Sequence, residues 1–345
     1  MKLSRRTLLG VAALAPLVAC SGPQRWRTVP SPAEPITLAQ VADGLVVGSA
    51  GPTLSGPAGP IKVTATTGYG RQARWTSLAT AGERILGIGT TFGGAHSNNR
   101  WSVFSGTAAG LDEQPQAFAV FQGYGSGALV AATFAGDEAL LVGSWQSETV
   151  GQDIALWRAD GATWVRQNST GSPLASSERT MVQATHACAG DRVLIVGQAI
   201  DLSPLATRAA AWVGTPDGGW SSVELPEQAG TSSADAAVRH ADGWLVAGKV
   251  GTALATWTIS ANLSARRLLL PYVAAGGPIR AAVGPDGTML IATSADGRIQ
   301  VLTGQHNAWR DTTVQAATVY ALAWAARPTL IGGTQGQPNQ RFELG

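Results

Sequence analysis

The chain has 345 residues, with 24 Lys and Arg against 22 Asp and Glu, a formal net charge of +2. Charged residues make up 13% and hydrophobic residues 45%, so there is material for a sizeable core, and a disordered polar chain is excluded. No dense basic run is present, Arg266–Arg267 being only a pair, and this excludes a nucleic-acid binder on charge grounds.

In chain order, residues 1–19 come first. Met1-Lys2-Leu3-Ser4-Arg5-Arg6 is a basic start, Val11–Ala19 is a short apolar run, and Cys20 follows. A basic start, a short apolar stretch and small residues before a cleavage point make a signal peptide. The apolar stretch is too short for a permanent membrane helix. Ser4-Arg5-Arg6-Thr7-Leu8-Leu9 resembles the twin-arginine export signal, which delivers folded proteins. Leu17-Val18-Ala19-Cys20 resembles a lipobox. The resemblance to bacterial twin-arginine-exported lipoproteins implies diacylglycerol on the Cys20 sulfur and cleavage after Ala19. It also implies that residues 20–25 form a lipidated tether. The expected location is the outer side of the cell membrane, held by acyl chains. The only other cysteine, Cys188, then has no disulfide partner and reads as a small buried hydrophobe.

From residue 40 one pattern recurs: a Gly or Asp turn, then a short apolar strand ending in Gly. Its closing positions are Gly48, Gly89, Gly143, Gly197, Gly248, Thr293 and Gly333, with Thr replacing Gly in the sixth copy. Periods of about 40–50 residues with short strands signify propeller blades. Each copy has a strand before it, a third strand marked by Phe104, Trp157, Trp212, Trp257, Leu302 or Leu344, and a fourth opened by a turn such as Asp160-Gly161 or Asp217-Gly218. Four antiparallel strands make a blade. The expected fold is therefore an all-β propeller over residues 26–345, of seven four-stranded blades. The tryptophans are expected to fill the spaces between blades. The last repeat stops after its third strand at Leu344, while Trp26–Val29 resembles the other fourth strands, so the N-terminal strand is expected to close the last blade.

Long connections at 50–60, 90–100, 106–127, 144–153, 167–178 and 198–208 are expected on one face, and tight hairpins on the other. The polar residues ending the second strands, Ser49, Thr90, Ser144, Gln198, Lys249, Ser294 and Thr334, are candidates to ring the mouth of the central channel.

Chemistry is sparse. His96, His186, His240 and His306 fall in different repeats, and none has a second metal ligand at suitable spacing. No nucleophile elbow and no phosphate loop occurs. No catalytic set, metal site or cofactor is therefore expected. The Asp-Gly-x-x-Trp turns at Asp160 and Asp217 are similar to degenerate Asp-box turns of sialidase-like propellers, a resemblance confined to hairpins that implies fold and not activity. The expected function is a monomeric, lipid-anchored binding or scaffold protein for an envelope protein or glycan. Candidate contacts are His96, Arg100, Tyr124, Trp145, Arg208 and Lys249, because aromatic and Arg side chains often anchor interfaces. The alternative is a glycoside hydrolase or lyase acting on envelope carbohydrate. That requires two carboxyls about 5–10 Å apart, with Asp112, Glu113, Glu148, Asp153, Glu178 and Asp201 as candidates.

Overall fold

The computed structural model describes residues 25–31, 33–93, 98–121, 127–305 and 308–345. The strands group into seven antiparallel sheets arranged as a seven-bladed β-propeller. The first blade spans 35–61, the second 74–113, the third 127–166, the fourth 180–223, the fifth 232–267 and the sixth 279–314. The seventh joins Thr318–Trp324, Pro328–Gly333 and Gln340–Leu344 to Trp26–Val29. The second blade carries one extra parallel strand, Val63–Thr64.

The first strand of each blade is innermost. Each inner strand packs on those of the two neighbouring blades, and the seventh meets the first, so the ring is closed. Trp26 pairs with Leu344 and Val29 with Arg341, as the matching ends of the sequence require. The backbones of Arg25 and Gly345 exchange hydrogen bonds of 3.2 and 3.1 Å just beyond. Closure leaves no inner edge for another chain to extend.

The core lies between blades rather than within them. Seven clusters of buried apolar side chains fill the seven seams. Trp157 and Trp145 meet edge to face at 5.1 Å where the third blade faces the second. Trp244 and Trp257 fill the seam between the fourth and fifth blades. This is the role expected of the tryptophans. Such aromatic contacts add to plain area burial.

Polar staples reinforce the seams. On the hairpin face, Asp137 pairs with Arg84 of the preceding blade at 3.1 Å, and Asp217 pairs with Arg158 at 2.7 Å. The Asp-Gly turn at Asp217 thus serves blade-to-blade packing. Nearer the other face, the Ser144 and Ser294 hydroxyls accept from Ala184 and Val319 N–H of the following blades at 2.9 and 3.1 Å. These two serines were candidates for the channel mouth, and their hydrogen bonds belong to the seams instead. The region 50–60 is also not a loop, because it forms the short third and fourth strands of the first blade. Around 90–100 and 198–208 the second and third strands run on into long hairpins.

Candidate functional site

The inner strands depart from regular pairing at one place. A β-bulge inserts an extra residue at Ile36, Thr76, Val130, Thr185, Asp235 and Tyr320. A bulge re-aims the side chain it inserts. All six of these residues line one cavity in the central channel, together with Arg280 of the sixth blade. The sixth blade alone pairs in regular register, with Ile279 opposite Thr293.

In the third, fourth and fifth blades the closing glycine makes room for the bulge. A Cβ on Gly143, Gly197 or Gly248 would overlap the carbonyl oxygen of Ala128, Gln183 or Ser233, which the bulge pushes across the sheet. The sixth repeat has Thr293 at this position, and its strand stays flat.

The cavity has a volume of about 380 Å³ and carries its charged residues on one side. Blades one to three contribute Ile36, Leu38, Leu78 and Val130, with Thr37, Thr76 and Ser77 as neutral polar groups and no charge. Blades four to seven contribute Thr185, His186, Asp235, Arg280 and Tyr320. Arg280 is clamped by backbone: its Nε donates to the Tyr320 carbonyl at 2.7 Å and its Nη1 to the Ile279 carbonyl at 2.9 Å. Asp235 accepts from the Ser233 hydroxyl at 2.8 Å. Burial raises the Asp235 carboxyl above the usual carboxylate range, against the Ser233 hydrogen bond and the charges of Lys249 and Arg280. Burial also lowers Arg280, with Asp235 opposing. Burial, with Arg280 acting the same way, brings the His186 imidazole down to about 4. It is neutral at physiological pH, and its Nδ1 is buried without a partner.

The residues singled out from sequence are scattered. Cys20, Arg5, Arg6, His96, Tyr124 and His306 lie outside the described residues. Trp145, expected at a contact surface, is only 6% exposed and belongs to a core cluster. Its aromatic bulk serves the seam and offers no surface. Arg100 is 4% exposed and lies under the rings of Phe118 and Tyr69 at 5.4 and 5.8 Å. Arg208 is exposed, is paired with Asp201 at 3.1 Å, and lines a groove of about 790 Å³ over the fourth blade. Lys249 is the one candidate that joins the channel group, through its charge on Asp235. Cys188 is inert, because burial pushes its thiol up to about 12.

Three of the six carboxyls proposed for glycan chemistry are engaged elsewhere, and Asp112, Glu148 and Glu178 do not line the channel cavity. Glu113 accepts four hydrogen bonds from Thr66 and Thr67, which overcome the effect of burial and hold its carboxyl below the usual range. Asp153 accepts from Ser176 N–H at 2.7 Å. Asp201 is held by Arg208 and Thr180. Among the described residues lining the channel cavity, Asp235 is the sole carboxylate, and a pair across a sugar is not assembled there.

The two faces differ in exposed apolar surface. Strand directions place the connections after second and fourth strands on one face, called the top. Of the eight exposed large hydrophobics among the described residues, Phe92, Phe118, Leu202, Leu205, Leu269 and Tyr272 sit in or beside top connections, while Val165 lies on the fourth strand of the third blade and Tyr320 in the channel. Leu205 and Tyr272 are 79% and 78% exposed. No tight hairpin of the opposite face carries such a residue among the described residues.

No protein-family model matches the chain, and no curated protein matches it in sequence. Solved structures resemble it in fold. YCF48 bound to D1 peptide is 11% identical with a TM-score of 0.55, covering 94% of this chain and 97% of that one. The Dos1 propeller is 10% identical with a TM-score of 0.50, covering 93% and 94%. Trypanosoma rangeli sialidase is 9% identical with a TM-score of 0.52, and this chain spans 57% of its length. These similarities establish the propeller architecture, and one architecture hosts many functions.

Proposed function

We propose that this protein is a lipid-anchored binding protein of the cell envelope that holds a protein partner on its top face. The observation that carries the reading is the concentration of exposed large hydrophobics on that face, six of the eight among the described residues. Apolar side chains left in water on one side of a molecule mark interaction surfaces. The groove over the fourth blade, with Arg208 on its wall and the exposed Leu202 and Leu205 in the hairpin that carries Arg208, supplies the polar rim and apolar tip that interfaces combine. A propeller of similar fold, YCF48, is described as bound to a peptide, which supports protein binding as a use of this architecture.

The anchor follows from the lipobox at Cys20 and the twin-arginine pair Arg5–Arg6. The partner therefore lies outside the cytoplasm. The test is photo-crosslinking in living cells from a probe at Leu205 or Tyr272, beside probes at Glu83 and Gly161 in the hairpin turns. A discrete cross-linked protein from the top positions alone, lost in Leu205→Asp or Tyr272→Asp, is the expected result. Equal cross-linking from the hairpin turns, or none from the top, would overturn the reading.

A further inference from the structure

The central channel holds a charge arrangement that top-face docking does not use. Arg280 and Asp235 stand on the inner strands of adjacent blades and feel each other's charge. They form no ion pair within 4.0 Å. Two opposite charges taken out of water ordinarily collapse onto each other, since each is costly alone. Here each is held by hydrogen bonds of its own. The Tyr320 and Ile279 carbonyls fix the guanidinium from two sides, and the Ser233 hydroxyl fixes one carboxylate oxygen. Arg280 Nη2 and Asp235 Oδ1 are left without a protein partner among the described residues, at the wall of the same cavity. His186, on the next blade, adds a neutral ring with an unpartnered buried nitrogen.

From this juxtaposition we infer that the channel is a binding site for a free α-amino acid with a small apolar side chain. Its carboxylate accepts from Arg280, its ammonium donates to Asp235, and its side chain lies against Ile36, Leu38 and Val130 on the opposite wall. A ligand that carries both charges on one carbon is the group that fits between a cation and an anion held apart. A simple anion satisfies only Arg280 and meets Asp235 as a like charge. A simple amine has the converse fault. The cavity, at about 380 Å³, lies within the usual span of small-molecule sites. The unlike walls fix the ligand's orientation, with the polar end toward blades five and six.

The test uses the full chain purified in detergent and titrated calorimetrically with leucine, N-acetylleucine, leucinamide and acetate, with melting temperature followed in parallel. Leucine is expected to bind and to raise the melting temperature. Blocking either charge is expected to weaken binding at least about tenfold. Arg280→Gln is expected to abolish leucine binding. Asp235→Asn is expected to weaken leucine at least about tenfold and leave N-acetylleucine unchanged. Val130→Phe, which fills the apolar side and touches neither charge, is expected to abolish binding in a folded protein. That variant keeps the test valid if the charge variants fail to fold. No heat and no thermal shift with leucine at millimolar concentration overturns the inference. So does binding of N-acetylleucine or acetate as tight as leucine, which would make the channel an anion site only.

Discussion

At the scale of single residues, the closing glycines of the third, fourth and fifth blades make room for the bulged inner strand. Gly197 faces the Gln183 carbonyl with no room for a Cβ, and backbone cannot yield as a flexible side chain does. Gly197→Ala should therefore lower unfolding free energy by about 1–3 kcal/mol, the usual cost of overpacking a filled interior, measured by denaturant unfolding. Thr293 occupies the same place in the flat sixth blade, where its fully buried hydroxyl finds no partner. Thr293→Val keeps the shape and removes the orphan, so it should be neutral or stabilising by up to about 1 kcal/mol. His186 gives a pH signature. Its folded value, about 4, lies below the ordinary value of 6.5, so the unfolded chain binds the extra proton first. Stability is then full above about 6.5 and declines as pH falls toward about 4, by at most about 3 kcal/mol. The raised Asp235 works in the opposite sense, losing stability as pH rises through its folded value. A melting-temperature profile of His186→Gln, flattened between those pH limits relative to the parent, isolates the histidine. A profile as steep as the parent's would remove His186 as the cause.

At the scale of elements, the seams are unequal. The seam between the seventh and first blades has only Val47, Ala321 and Ile331 fully buried, with Leu38 partly so, whereas the other seams hold larger clusters. A buried hydrogen bond from Asn339 to the Pro35 carbonyl, 3.0 Å, supports it. The strand Trp26–Val29 ties the C-terminal strand in place, and Trp26 also reaches Thr312 of the sixth blade at 3.1 Å. Removing residues 1–30 should cost about 2–4 kcal/mol and expose Gln340–Leu344 as an edge, while removing residues 1–24 should leave the melting temperature unchanged. Calorimetry with light scattering reads both. The closing strand was legible because Trp26–Val29 has the same composition as the other fourth strands, and the blade count was legible from the turn-strand-Gly period. The channel was not. A bulge breaks the two-residue alternation at the very place where side chains turn inward, so Asp235 and Tyr320 carried no signal along one strand, and Arg280, on the strand without a bulge, read as one polar residue of an ordinary alternation. The clue was the replacement of glycine by Thr293 in the repeat without a bulge. Trp145 misled for a related reason: an aromatic next to a polar strand end reads as exposed until a neighbouring blade covers it.

At the scale of the whole molecule, the propeller has a blunt face and an apolar one. The hairpin face is closed by tight turns and by the Asp137–Arg84 and Asp217–Arg158 pairs, which hold blades together and present charge to solvent. The top face carries most of the exposed large hydrophobics and the longer connections. Trp26 pairs with the end of the C-terminal strand, so the described chain begins at the hairpin face. A tether of the few residues from Cys20 to Arg25 is too short to cross a blade, since an extended chain spans at most about 3.3–3.6 Å per residue. An acyl group on Cys20 would therefore hold the hairpin face toward the bilayer and aim the apolar face outward, where a partner can reach it. Two consequences are measurable. On the proposed acylation of Cys20, Cys20→Ser should release the protein from the membrane fraction, since acyl chains would supply the anchoring energy and the described residues include no helix long and apolar enough to span a bilayer. Protease added to intact spheroplasts should cut the parent within 167–179 and 268–278 before any hairpin turn. In Cys20→Ser, freed from the surface, that order should relax. Hairpin turns cut first on the membrane-bound protein would mean that the molecule sits the other way up, with its hydrophobic face against the lipid.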